Sequence, residues 1–111
     1  MATFEFNGTT ITVGAVSGGI AQGHGGKGQF SAAGAIGVGF ALNAFSFKVP
    51  CECADFEKGD YITVSSVTLA FATKMSITYR LCGGACNGSL SYWTGGLGLG
   101  ISGVLRFDFS P

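Results

Sequence analysis

From Gly96 to Phe109 the chain alternates with a period of two. Odd positions carry Leu97, Leu99, Ile101, Leu105, Phe107 and Phe109, broken only at Gly103; even positions carry Gly98, Gly100, Ser102, Val104, Arg106 and Asp108. Successive side chains of a strand point to opposite faces, so this pattern predicts a β-strand with one buried face, the odd one. Ile36 to Phe47 echoes it, with an apolar phase that changes between Leu42 and Phe45 and so predicts a β-bulge near Asn43-Ala44. The later stretch keeps one phase throughout.

The chain reads as two similar halves. Asn7 to Val16 matches Lys58 to Val67, and His24 to Ser31 matches Cys82 to Ser91 with two residues added. Ile36-Gly37-Val38-Gly39 then matches Leu97-Gly98-Leu99-Gly100, and Phe45-Ser46-Phe47 matches Phe107-Asp108-Phe109. The matches keep one order, which predicts an internal duplication, residues 1–50 and 51–111, within a single domain. Neither half has strands enough to bury an apolar face alone. The expected fold is therefore all-β, a small antiparallel barrel or sandwich of about eight strands.

Local signals fill in the rest. Asn7-Gly8 between Phe4-Glu5-Phe6 and Thr9 to Val16 predicts a hairpin turn, because Asn-Gly supplies two positive-φ residues. Ser17 to Gly28, rich in glycine and without periodicity, predicts a loop. Gln29 to Val49 predicts one or two long strands ending at Pro50. Met75, Ile77, Tyr79 and Leu81 alternate as an extra strand peculiar to the second half.

Composition narrows function more than it assigns it. Net charge is zero and charged residues make up 11% of the chain, which removes any electrostatic case for nucleic acid or an anionic membrane. The 20 glycines alternate with apolar residues rather than forming a linker. Gln29 to Phe47 and Leu81 to Leu105 carry no charge and are long enough to raise the question of a membrane helix. Alternation and glycine content argue against one, since each Gly costs a helix about 1 kcal/mol relative to Ala. Met1 to Glu5 has neither a basic region nor an apolar core, so it does not read as a signal peptide.

Cys51-Glu52-Cys53 and Cys82 to Cys86 are the most chemical feature. Two disulfides among Cys51, Cys53, Cys82 and Cys86 would staple a small core. A four-thiolate zinc site is a weaker candidate, because neither pair has the usual Cys-x2-Cys spacing. Free buried thiols are the third reading. Disulfides would place the protein outside the cell, and free thiols in the cytoplasm.

Glu52, Asp55, Glu57 and Asp60 crowd one turn without matching a calcium-loop spacing, and a solvated turn with Lys58 in its midst is the simpler reading. His24 has no acid or nucleophile partner in the pattern, as general base catalysis requires. Gly23 to Gly28 resembles a phosphate cradle but lacks the spacing and the following helix. No cofactor and no enzymatic activity are expected. Tyr92-Trp93 is a ligand-binding candidate if exposed, for sugar or a membrane interface, and a core plug if buried, with burial slightly favoured.

The expected function is a non-enzymatic interaction module, a small secreted effector or toxin-like protein meeting lipid, membrane or a host protein surface. The alternatives are a carbohydrate-binding module using Tyr92 and Trp93, or a structural protein that self-assembles as a homo-oligomer through strand edges.

Overall fold

The structure, a computed structural model, describes residues 2–24, 29–32, 35–53 and 56–110, with the backbone alone at 2, 22–24, 29–32 and 110. The described chain is β throughout apart from one 3-10 turn at Cys82–Gly84. Six strands are described: β1 (Ala2–Val13), β2 (Val16–His24), β3 (Gln29–Ala32), β4 (Ala35–Cys51), β5 (Tyr61–Leu81) and β6 (Cys86–Ser110). All their pairings are antiparallel, in the order β1-β4-β2-β3-β6-β5 with further pairing of β1 to β2 and β4 to β6. Among the described residues β5 pairs only with β6, so the sheet ends there and is not closed into a barrel.

The strands are fewer and longer than the sequence pattern predicts, because the long ones bend without losing their partners. Strand β6 has 25 residues, and at about 3.3 Å per residue it would run roughly 80 Å if straight. The longest extent of the molecule is 38 Å. Strands β4, β5 and β6 therefore turn back along their length. The bend falls at Gly39 (φ 94°) in β4, at Ala70 (φ 60°) in β5 and at Gly98 (φ 113°) in β6. A positive φ is strained for any residue with a Cβ, which is why two of the three are glycine. Gly39 pairs with Gly100 and Ala41 with Gly98, so β4 and β6 bend together at the same level.

Several local expectations are corrected. Asn7-Gly8 is no turn: both lie mid-strand in β1, and the chain reverses instead at Gly14-Ala15. Gly8 is needed for space, since a Cβ there would meet the Phe45 ring and the Ile20 carbonyl. Of the predicted loop Ser17 to Gly28, the part up to His24 belongs to strand β2, whose hydrogen bonds to β1 require no apolar periodicity. No bulge occurs at Asn43-Ala44; β1 and β4 pair without interruption from Ala2↔Cys51 to Val13↔Phe40. The phase change in the sequence reflects a polar residue, Asn43, on the inner face and Leu42 on the outer one.

The register shifts lie in the β5–β6 ladder instead, one between Val64 and Ser66 and one between Ala70 and Ala72, where Ala70 faces Gly98 and Ala72 faces Gly95. Val64 faces Leu105 and Ser66 faces Ser102, so one extra residue of β6 is accommodated at Gly103-Val104. The extra residue at Gly103-Val104 changes which alternate positions of β6 point inward. Leu105, Phe107 and Phe109 point in as expected, whereas Leu97, Leu99 and Ile101 point out. The predicted extra strand at Met75 to Leu81 is present as the second arm of β5, with Met75, Ile77 and Leu81 buried.

The core occupies the end of the molecule away from the bends. Phe6 stacks on Phe47 at 5.0 Å between ring centroids, and Phe45 lies 5.9 Å from Phe107. Phe56 bridges Phe4 (4.4 Å) and Phe109 (5.4 Å). Such aromatic pairs add about 0.5–1.5 kcal/mol each beyond their area burial.

Candidate functional site

Alternation forces a choice at every strand position between inside and outside. At the core end the choice is conventional: Phe4, Phe6, Ile62, Val64, Leu105 and Phe107 are inside, and Lys48, Arg106 and Asp108 are outside. At the bent end it is reversed. The inward positions there are Thr10, Thr12, Ser17, Asn43, Ser66, Thr68, Thr73 and Ser102, all buried. The outward positions are large and apolar.

Five of the inward residues, Asn43, Ser66, Thr68, Thr73 and Ser102, form one connected network. The Asn43 amide oxygen accepts from the Thr68 hydroxyl at 3.0 Å and the Thr73 hydroxyl at 2.7 Å, and its amide nitrogen donates to Ser66 at 3.4 Å. Ser66 and Ser102 share a hydroxyl hydrogen bond of 3.0 Å, and the Ser66 N–H donates to Ser102 at 3.1 Å. Thr12 and Ser17 pair at 2.9 Å. Thr10 Oγ1 is buried without a partner among the described residues. Buried hydroxyls must find partners or cost about 1–3 kcal/mol each. Apart from Thr10, they satisfy one another, which lets them line an interior that Leu and Phe do not occupy.

Outside, the strand register aligns the apolar residues into rungs. Val13 faces Phe40, Phe40 faces Leu99 and Leu99 faces Leu69, a rung across four strands. Ile11, Leu42 and Leu97 form a second rung, and Val38, Ile101 and Val67 a third. Phe40 is 60% exposed and Leu99 65%. Directly opposed residues lie about 4.5–5.5 Å apart at Cβ, so the rungs make one continuous apolar surface. Contiguous patches of this kind on a soluble domain mark contact with lipid, protein or ligand. No charged residue occurs in the rungs; next to them, Lys74 faces Trp93 across β5 and β6, both exposed.

The cysteines lie at the opposite end. Cys51 pairs with Cys86 and Cys53 with Cys82, with Cα separations of 5.7 and 5.8 Å, well within disulfide range. They tie the end of β4 to the β5–β6 turn. The sulfurs of Cys51, Cys82 and Cys86 crowd within 4.8 Å, but bonding in pairs leaves no thiolate for zinc. Disulfides of this kind are kept in oxidising compartments. Among the described residues, no helix is long and apolar enough to cross a membrane.

The described residues of the acidic turn, Glu52, Glu57 and Asp60, do not form one cation site. Asp60, expected on a solvated turn, is fully buried, and its carboxylate accepts from the backbone N–H groups of Glu57 (2.7 Å), Cys82 (3.0 Å) and Gly83 (2.9 Å). It is a structural clamp between two turns. Glu52 and Glu57 face solvent, and Asp55 lies outside the described residues. His24 ends β2 rather than sitting in a loop, with its backbone opposite Glu5, and Gly25 to Gly28 of the suggested phosphate cradle lie outside the described residues.

Tyr92 and Trp93 are neighbours in sequence but occupy opposite faces of β6, so they do not form one platform. Trp93 is 66% exposed, contrary to the expected core plug. Tyr92 is half-buried, and its hydroxyl accepts the Ser46 N–H at 3.1 Å. Burial raises its pKa above the ordinary phenol value, partly offset by that hydrogen bond. Beside it, where β4 and β6 separate below the Asn43↔Gly96 pair, an open groove of about 620 Å³ is lined by Asn7, Thr9, Ala44, Ser46, Tyr92 and Thr94.

Alternation in the sequence points Leu97, Leu99 and Ile101 inward, whereas all three are exposed in the rungs. The signal that could have found them is the opposite face: Gly98, Gly100 and Ser102 carry no charge, whereas a solvated face normally does. No family model, curated protein or solved structure matches the chain.

Proposed function

We propose that the protein is a non-enzymatic, secreted membrane-interaction module, of the kind represented by small effectors and toxin-like proteins, whose bent end enters one leaflet of a bilayer. The observation that carries this is the reversal at that end, with apolar rungs outside and a hydrogen-bonded polar interior. Apolar-out and polar-in alternation is how β structure meets hydrocarbon. The rungs lie within three residues of the bends, about 10 Å along the strands at ~3.3 Å per residue. Lys74 and Trp93 follow at roughly 13–17 Å from the bends. A leaflet is about 15 Å of hydrocarbon, so they fall at the interface, where Trp anchors and Lys snorkels. The apolar arms are too short for the ~9–11 residues that a spanning strand needs. Because net charge is zero, binding should not depend on anionic lipid.

The test is flotation with phosphatidylcholine vesicles. Co-flotation with a blue shift of Trp93 fluorescence is expected, and a protein that stays in the dense fraction with all vesicles overturns the reading.

We also infer that the two arms of the bent strands face each other as two layers, and that the halves 1–50 and 51–111 descend from a duplication. The β4–β6 register supports this, because it is symmetric about Gly39↔Gly100: Gly37 faces Ser102 as Ala41 faces Gly98. A second reading rests on the free edge of β5, which can pair with another copy of the chain. Light scattering that shows only monomer at high concentration rules it out.

A further inference from the structure

We propose that the groove beside Tyr92 binds the uncharged sugar headgroup of a glycolipid. The placement of the groove rests on the membrane reading; the chemistry of its lining does not. Its residues fall four to seven positions from the bends: Ala44 and Ser46 from Gly39, Tyr92 and Thr94 from Gly98, Asn7 and Thr9 from Gly14. They thus stand level with Trp93 and Lys74 or just above, where a headgroup lies when the rungs are in hydrocarbon.

The lining selects the ligand class. It contains an amide, three aliphatic hydroxyls and a phenol, with no charged side chain. Such a set offers both donors and acceptors, which suits the hydroxyls of a neutral sugar, and it supplies no positive charge to pair with a phosphate or carboxylate. The Tyr92 oxygen already accepts the Ser46 N–H, so its own proton is left to donate into the groove. Ile20, Ala44 and the Tyr92 ring supply the apolar surface on which the C–H face of a sugar packs. A volume of about 620 Å³ lies within the range of small-ligand sites and accommodates one or two sugar rings.

The experiment compares vesicles of phosphatidylcholine alone with vesicles that also contain digalactosyl diacylglycerol or glucosylceramide, both neutral glycolipids. Affinity for at least one glycolipid mixture is expected to rise about tenfold, the effect of one or two net hydrogen bonds. Tyr92→Phe and Asn7→Leu should each remove most of that increment while leaving binding to phosphatidylcholine alone intact. Asn7→Leu keeps the link between Tyr92 and Ser46, so loss of the increment in both variants reports the groove and not a folding defect. Equal affinity for all three vesicles overturns the groove proposal and leaves the membrane reading standing. An increment that survives both variants places the sugar elsewhere and also overturns it. Binding only to glycolipid vesicles sustains the groove and overturns hydrocarbon insertion.

Discussion

Phe40 of β4 and Leu99 of β6 stand directly opposite one another across the sheet, and both point away from the protein interior. Beneath them the inward positions are held by the Asn43 network. A pair that would anchor the core of an ordinary sandwich is here the centre of its outer surface.

Replacing Phe40 or Leu99 by Ser should therefore separate binding from stability. Neither side chain is buried, so the melting temperature should move by no more than about 2–3 °C, the range of surface substitutions in a domain of this size. Each removes roughly 1.5–3 kcal/mol of apolar transfer, so vesicle affinity should fall about tenfold or more per substitution. Paired thermal melts and flotation assays decide it; a large stability loss with unchanged binding would mean that the pair belongs to the core.

Asn43→Ala should do the opposite. It leaves Thr68, Thr73 and Ser66 to share fewer partners in a buried setting. A loss of about 2–4 kcal/mol is expected, read as a drop of roughly 10–20 °C in melting temperature. Asn43→Leu should be as harmful, because an apolar group does not satisfy the hydroxyls.

The two disulfides are nested, since Cys53–Cys82 closes a loop inside that of Cys51–Cys86. With one bond in place, the other closes only a short residual loop. Removing either pair should cost about 2 kcal/mol, and removing both about 4–6 kcal/mol, by loop-closure entropy. Denaturant unfolding of Cys→Ala double and quadruple variants measures this. In the native protein, alkylation before reduction should label no cysteine.

Tyr92 gives an alkaline limb to stability. Its folded pKa is raised, so the neutral phenol is the preferred folded form. Its contribution is complete below the unfolded value of about 10 and is lost as pH rises through the folded pKa. Melts between pH 8 and 11.5 should be flat and then fall. Tyr92→Phe should lessen that fall, and an unchanged limb would assign it to other groups.

Much of this fold is legible in the chain itself. Period-two alternation in Ile36 to Phe47 and Leu97 to Phe109 requires strands, since a helix would scatter those side chains around its circumference. The glycines of Ile36 to Gly39 and Leu97 to Gly100 mark places where backbone must bend or approach closely, and the even number of cysteines allows their pairing. What alternation leaves undetermined is which face is inside. Thr10-Ile11-Thr12-Val13 fits either choice, and an extra residue at Gly103-Val104 reverses the choice for Leu97 to Ile101 relative to Leu105 to Phe109. Only tertiary structure decides this, because the partners that satisfy Asn43 come from β5, 23 to 30 residues away in the chain. A polar interior is affordable only when those distant hydroxyls converge, and that convergence is what leaves Phe40, Leu99 and their neighbours free to face another phase.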